Sequence, residues 1–165
     1  LDFYFPQDIG KIQELFSSFE KLGFKVLKKK IGEQSVYSEL EMNRVAVRLE
    51  ATFQKIKGHL ADYETSEGNF MAIYTLTPEE FVKEKVQAYL HRRKIRDLYD
   101  LFFLLKRVNH FSAIKKELQL LLKSYPPPLD EPELKILIVE GLTPSSSEML
   151  EYIRRTWEDA NTSAK

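Results

Sequence analysis

The chain has 165 residues, of which 25 are basic and 25 acidic, so its formal net charge is zero. A neutral chain has no global field that gathers nucleic acid, and any such contact needs a local basic patch. The absence of cysteine excludes disulfides and thiolate zinc sites. The sequence shows no signal peptide and no long apolar span, which predicts a soluble cytoplasmic protein without a membrane segment.

The first half of the chain is predicted to form several strands and one helix. Alternating apolar residues indicate the strands, and apolar residues at helical spacing after a capping Asp8 indicate the helix. In chain order, the predicted elements are a strand over 1–5, a helix over 9–22 and strands over 24–31, 35–40, 44–53 and 70–74. A polar stretch, 54–69, separates the last two strands.

The second half is predicted to be helical. Residues 77–80, Thr-Pro-Glu-Glu, have the pattern of a capping box that opens a helix. In chain order, the predicted helices cover about 78–90, 96–108, 111–123, 132–140 and 144–157, with a frayed tail from Asp159. The run 136–139 can instead form a strand. This order favours an α+β fold, with a sheet domain over 1–76 followed by a helical domain over 77–165.

Lys85 lies within the apolar arc of the helix that begins at Pro78, whereas Glu84 lies on the solvent side. A lysine in this position has two interpretations. It either extends along the helix surface to reach water, or it is held in a partly buried site.

Residues 91–96, His-Arg-Arg-Lys-Ile-Arg, form a dense basic cluster in this neutral chain. In one interpretation, Arg93 pairs with Asp97 and Arg96 pairs with Asp100 at the i,i+4 spacing of a helix, or Asp97 caps the following helix. In the other, the cluster is a phosphate-facing edge whose guanidinium groups the two carboxylates orient.

Asp2 and Glu50 lie on the non-apolar faces of two predicted strands. If the strands are neighbours, the two carboxylates share one surface of the sheet and can bind a divalent metal ion. Exposed carboxylates are also common on strands, and the pattern alone does not distinguish a metal site from a solvated face.

The segment 77–105 resembles the late motifs of the AbiEii-type nucleotidyltransferase family. A glutamate–lysine pair, Glu84-Lys85, is followed about ten residues later by an arginine-aspartate-x-x-aspartate element that starts at Arg96 and ends at Asp100. Asp2 is similar to the second half of the family's acid-x-acid strand pair, and Glu50 is similar to its third acid on a later strand.

The resemblance implies a nucleotidyltransferase-like mixed sheet with a flanking helix, followed by a helical region. It implies Mg²⁺ as cofactor, a nucleoside triphosphate as substrate, and RNA such as tRNA as a candidate acceptor. Some relatives act as toxins paired with an antitoxin, so an antitoxin is a candidate partner. The implied roles are catalytic for Lys85, Asp97 and Glu50, nucleotide- or phosphate-binding for Arg93, Arg96 and Asp100, and metal-binding for Asp2 and Glu50.

The chain departs from the family pattern at its beginning, where the glycine motif and the first acid of the strand pair are absent. We therefore expect the chain as given to bind metal and nucleotide poorly and to transfer little or nothing. The alternative hypothesis is a non-catalytic module that binds RNA or a protein through the 91–96 cluster.

Overall fold

The computed structural model describes residues 2–5, 7–54, 58–141 and 143–162, and for Asp2 the backbone alone. The chain divides into two compact units, Leu1–Lys57 and Gly58–Lys165. The boundary predicted from the sequence lies near Leu76, and a two-stranded hairpin accounts for the difference between the two positions.

The first unit is a four-stranded mixed sheet with one helix. Its elements are β1 (Asp2–Phe5), α1 (Ile9–Lys21), β2 (Lys25–Ile31), β3 (Ser35–Met42) and β4 (Val45–Phe53). The strand order is β1-β4-β3-β2, in which β1 runs parallel to β4 and the other neighbours are antiparallel. Asp8 caps α1 by accepting a hydrogen bond from the N–H of Lys11 at 3.2 Å.

The core of this unit lies between α1 and one face of the sheet. It contains buried residues from α1, β3 and β4, namely Ile12, Phe16, Val36, Leu40 and Ala51. Because side chains alternate along a strand, the same β4 that buries Leu49 and Ala51 exposes Arg48 and Glu50 on its other face. The sheet therefore has one apolar face under the helix and one polar face.

The second unit begins with a hairpin and continues as helices. Its elements are β5 (His59–Glu64), β6 (Phe70–Thr75), α2 (Pro78–Arg92), α3 (Ile95–Leu104), α4 (Lys115–Ser124), α5 (Leu134–Leu137) and α6 (Ser146–Thr162). Strands β5 and β6 pair in antiparallel fashion. The helices α2, α3, α4 and α6 enclose a core that includes Val86, Tyr89, Leu98, Leu101, Leu121 and Ile153.

The predicted capping box of α2 is confirmed. The side chain of Thr77 accepts a hydrogen bond from the N–H of Glu80 at 3.2 Å, and the Glu80 carboxylate accepts one from the N–H of Thr77 at 3.0 Å. The predicted α+β class, with a mixed sheet followed by helices, is also confirmed. None of the described helices is both long and apolar enough to cross a membrane.

Three sequence predictions about local structure are wrong. Strand β5 lies within the stretch that was predicted only to be polar. The sequence did not indicate this strand because Leu60 and Tyr63 are three residues apart and do not alternate with period two. The helix predicted over 132–140 is a single turn at Leu134–Leu137, and Ile138 has extended backbone. The tail predicted to fray from Asp159 stays helical as far as Thr162.

Candidate functional site

The turn between α2 and α3 creates the main cluster of charged side chains. Arg93 directly follows α2 as its C-cap in the left-handed conformation, with φ of 53°, and its N–H donates to the carbonyl oxygen of Tyr89 at 2.7 Å. Lys94 is extended, and α3 begins at Ile95. This short reversal packs α2 against α3, so that side chains 15 residues apart, such as Lys85 and Asp100, come into contact.

Asp97 is the centre of the cluster. It is fully buried, with 0% of its surface exposed, and its carboxylate accepts two hydrogen bonds from Arg92. The Nε–Oδ2 distance is 2.7 Å and the Nη2–Oδ1 distance is 2.6 Å. The hydrogen bond to Asp97 raises the pKa of Arg92 above its ordinary value, although burial opposes the shift. The paired geometry holds the guanidinium plane in one orientation.

Lys85 lies between two carboxylates. Its Nζ forms an ion pair and hydrogen bond with Asp100 and is 3.9 Å from Oδ1 of Asp97. The side chain of Lys85 is 30% exposed and that of Asp100 is 41% exposed, so both are reachable from solvent. The sequence left open whether Lys85 extends to water or is held in a partly buried site, and these contacts correspond to the second alternative.

The i,i+4 pairs expected within 91–100 are wrong. Asp97 pairs with Arg92 instead of Arg93, and Asp100 pairs with Lys85 instead of Arg96. Arg93 belongs to the end of α2, so the helical spacing between Arg93 and Asp97 does not exist in the fold. Arg93 donates from Nε and Nη2 to the carbonyl oxygen of Pro127, at 2.9 and 2.6 Å. Arg96 is exposed and has no salt bridge to any of the described residues.

The alternative in which Asp97 caps α3 is also wrong. Asp130, not Asp97, accepts the hydrogen bond from the N–H of Ile95, at 2.7 Å, and Asp130 also pairs with Lys94 at 3.1 Å. Burial opposes ionisation of Asp130, but the hydrogen bonds from Ile95 and Lys94 outweigh it and lower its pKa below the ordinary value. Capping patterns in a sequence depend on residues next to the helix, so they do not reveal a cap that lies 35 residues away in the chain.

The segment before Asp130 holds the α2–α3 turn from outside. The Tyr89 hydroxyl donates to the carbonyl oxygen of Pro126 at 2.6 Å, and the N–H of Leu129 donates to that of Arg93 at 3.0 Å. Three of the cations in the 91–96 cluster, Arg92, Arg93 and Lys94, are therefore bonded within the second unit. Arg92 is nevertheless 42% exposed and Arg96 is exposed, so these two residues of the cluster remain reachable from solvent.

The two candidate metal ligands belong to the first unit. Asp2 and Glu50 are register partners on the parallel neighbours β1 and β4, which is the adjacency the metal hypothesis requires. The side chain of Glu50 is 48% exposed and its Oε1 is 3.9 Å from Nη1 of Arg48. Within the described part of the chain, no group of three or more histidine or acidic side chains could hold a metal ion. Mg²⁺ commonly takes only one or two protein carboxylates and completes its shell with water and phosphate, so a pair of acids fits its needs.

Arg92 is the residue that the sequence reasoning missed. It lies five positions before Asp97, which is not a helical contact spacing, and it belongs to a different helix. A signal was nevertheless present, because a buried aspartate in the first turn of an apolar helix requires a cationic or hydrogen-bonding partner.

Comparison with known families supplies an independent finding. A family model described as "Nucleotidyl transferase AbiEii toxin, Type IV TA system" matches residues 7–159. The matched range includes Glu50, Lys85, Arg92 and Asp97, whereas Asp2 precedes it. No curated protein and no solved structure matches the chain.

Proposed function

Because the chain belongs to the nucleotidyl transferase AbiEii toxin family, we propose that it transfers a nucleotide from a nucleoside triphosphate to an RNA acceptor such as tRNA. The family's description names a toxin of a type IV toxin–antitoxin system, which makes an antitoxin the candidate partner. The observation that supports the proposal most directly is the cluster in which buried Asp97 orients Arg92 beside Lys85.

Lys85 and Arg92 are proposed to contact the phosphates of the nucleotide. Asp97 accepts hydrogen bonds from Nε and Nη2 of Arg92. The Arg92 side chain is 42% exposed, and its Nη1 is the nitrogen proposed to contact phosphate. A guanidinium and an ammonium group held in place neutralise the charge that builds up on a transferring phosphoryl group. Both groups are partly exposed and are oriented before substrate binds, so little reorganisation is needed.

The carboxylates of the cluster have a different role in this proposal. Asp97 is fully buried and is bonded to Arg92, so it is a positioning residue rather than a group that touches substrate. Asp100 orients Lys85 through their ion pair. Arg96 is exposed and stays a candidate phosphate contact. The guanidinium of Arg93 instead stabilises the α2–α3 turn by donating to the carbonyl oxygen of Pro127.

The acids of the sheet, Asp2 and Glu50, are proposed to hold Mg²⁺. When bound, the ion would supply positive charge to the triphosphate and favour ionisation of the attacking hydroxyl. In the transfer, an acceptor hydroxyl oxygen bonds to the α-phosphorus, the hydroxyl proton passes to water, and the bond to the pyrophosphate oxygen breaks in line with the attack. Pyrophosphate leaves with the electron pair of that bond.

The proposal is tested by nucleotide transfer with the natural full-length protein. The assay contains Mg²⁺, one α-labelled nucleoside triphosphate at a time, and total RNA. The informative variants are Lys85→Ala, Arg92→Lys and Glu50→Gln, because each removes one proposed contact while leaving Asp97 its arginine or another cation. Lys123→Ala, an exposed lysine on α4, is the matched control.

We expect labelled RNA with at least one triphosphate, loss of label in the three variants, and unchanged label in Lys123→Ala. Each removed contact should slow transfer by about 100-fold or more. Absence of label with every triphosphate, or full activity of Lys85→Ala, contradicts the proposal. Melting curves of all variants separate loss of chemistry from loss of folding.

A further inference from the structure

The polar face of the first unit's sheet carries a second basic cluster, which is separate from residues 91–96. Strand β2 has the sequence Lys-Val-Leu-Lys-Lys-Lys-Ile and lies at the edge of the sheet. Its lysines are exposed. Unlike the cations at the α2–α3 turn, Lys28 and Lys30 have no salt bridge among the residues that the structure describes.

The register of the strands sets which lysines share a face. Lys28 pairs with Glu39, which pairs with Arg48, and Lys30 pairs with Tyr37, which pairs with Glu50. Lys29 pairs with Ser38, whose side chain is buried, and its Nζ lies 4.8 Å from the ring centroid of Phe16 in α1. Lys28 and Lys30 are therefore on the polar face, and Lys29 is on the helix face.

Tyr37 lies between the cations of the polar face. The Nζ of Lys28 is 5.4 Å from the centroid of its ring, and Cζ of Arg48 is 5.9 Å from it. The Tyr37 hydroxyl donates a hydrogen bond to Glu39. The ring is thus fixed at its hydroxyl, and cations from the two neighbouring strands lie over it. Arg48 also lies 3.9 Å from Oε1 of Glu50, and its side chain is 66% exposed.

An aromatic ring beside lysine and arginine on an open sheet is a suitable platform for single-stranded RNA. Bases stack on the ring in a sequence-tolerant manner, and the cations contact the phosphates. Lysines on an edge strand also discourage pairing with other strands, but that role does not explain an arginine and a half-buried tyrosine beside them on β4 and β3. Lys30, Tyr37 and Glu50 are register partners on three neighbouring strands, so the platform reaches the candidate metal ligand Glu50 on the same face.

We propose that this face, defined by Lys28, Lys30, Tyr37 and Arg48, binds the single-stranded part of an RNA acceptor. This inference rests on the proposed function, because it places the acceptor of the nucleotide transfer on the face of the sheet that carries Glu50. RNA binding itself is measured without catalysis, so the two proposals fail separately.

The test is RNA affinity of the natural full-length protein in EDTA, measured by fluorescence anisotropy at several salt concentrations. The probe is a labelled single-stranded RNA of about 20 nucleotides, long enough to cross the face. The variants are Lys28→Glu, Lys30→Glu and Tyr37→Leu. Lys29→Glu is the matched control, because it makes the same charge change on the same strand but on the opposite face.

We expect Lys28→Glu and Lys30→Glu to weaken binding and to reduce the slope of log affinity against log salt by about 0.7 for each lost phosphate contact. Tyr37→Leu should weaken binding by about 5- to 150-fold through lost stacking, and Tyr37→Phe should retain most of the affinity. Lys29→Glu should keep the wild-type slope.

The inference is overturned if Lys29→Glu and Lys30→Glu weaken binding equally, since the effect would then be one of overall charge. It is also overturned if the wild type does not bind the probe. If RNA binds through this face but no nucleotide is transferred, the binding surface is supported and the proposed reaction is not. If transfer occurs and Lys30→Glu leaves both affinity and rate unchanged, the acceptor binds elsewhere.

Discussion

Arg92, the last residue of α2, donates hydrogen bonds from Nε and Nη2 to the two carboxylate oxygens of Asp97 in the first turn of α3. Asp97 is fully buried, and Arg92 makes both of the close hydrogen bonds to its carboxylate, whereas Nζ of Lys85 is more distant at 3.9 Å. The same contact joins two helices and orients a cation that remains partly exposed. Stability and the proposed chemistry therefore depend on one carboxylate, and variants must be chosen to separate the two.

Asp97→Ala should be strongly destabilising. The change leaves Arg92 without its partner and opens a gap in a buried position, which typically costs about 3 kcal/mol in free energy of unfolding. For a chain of this size, that loss lowers the melting temperature by roughly 6–12 °C. Thermal and urea unfolding measure the effect. A melting temperature within about 1 °C of wild type would mean that Asp97 has no such structural role.

Lys85→Ala should behave in the opposite way. The ion pair between Lys85 and Asp100 is partly exposed on both sides, and such pairs contribute about 1 kcal/mol or less. We therefore expect near-normal stability together with loss of transfer. A double-mutant cycle with Asp100→Asn, followed both by unfolding and by transfer rate, measures the coupling. Strong coupling in unfolding but none in rate would assign the pair a purely structural role.

Asp130→Ala should destabilise the α2–α3 turn by about 2 kcal/mol. It removes the acceptor for the N–H of Ile95 and the partner of Lys94, and the loss of a helix cap costs about 1 kcal/mol by itself. Asp130→Asn keeps an acceptor oxygen and should lose only part of this stability. Hydrogen exchange of the Ile95 amide reports the cap directly. Equal protection of that amide in wild type and Asp130→Ala would exclude the capping role.

Glu79 should make stability sensitive to acid. Its carboxylate is 8% exposed and accepts hydrogen bonds from the N–H groups of Asn109 and His110, both at 2.9 Å. Burial opposes ionisation, but these bonds outweigh it and lower the pKa below the ordinary 4.5. A lowered folded-state pKa adds stability that is fully present above pH 4.5 and is lost as the pH falls through the folded value.

The test of this pH dependence compares the free energy of unfolding at neutral pH with that at a pH below 4.5. Glu79→Gln should be less stable than wild type at neutral pH, and the difference should shrink in acid. Glu84→Gln, on the exposed side of the same helix, is the control and should follow wild type at both pH values. A constant difference between Glu79→Gln and wild type would show that ionisation of Glu79 does not contribute.

Local patterns predicted the elements that depend on neighbours in sequence. The capping box at Thr77–Glu80, the cap at Asp8 and the two-faced strand that carries Leu49 and Glu50 involve residues no more than a few positions apart. The metal hypothesis depended on the strands of Asp2 and Glu50 being neighbours, and the register of the sheet meets that condition. Strand β5 was missed because its side chains are exposed on both faces and do not alternate.

The sequence by itself determined the α+β class, a sheet region followed by a helical region, the polar and apolar faces of β4, and the resemblance that the family match supports. Only the tertiary structure decided the partners of the charged groups: Arg92 for Asp97, Lys85 for Asp100, and Asp130 for the start of α3. Spacing rules describe contacts within one helix or strand. The first two contacts join α2 to α3, because the chain leaves α2 at the left-handed Arg93 and reverses before α3 begins. The third joins the start of α3 to a segment 35 residues farther along the chain.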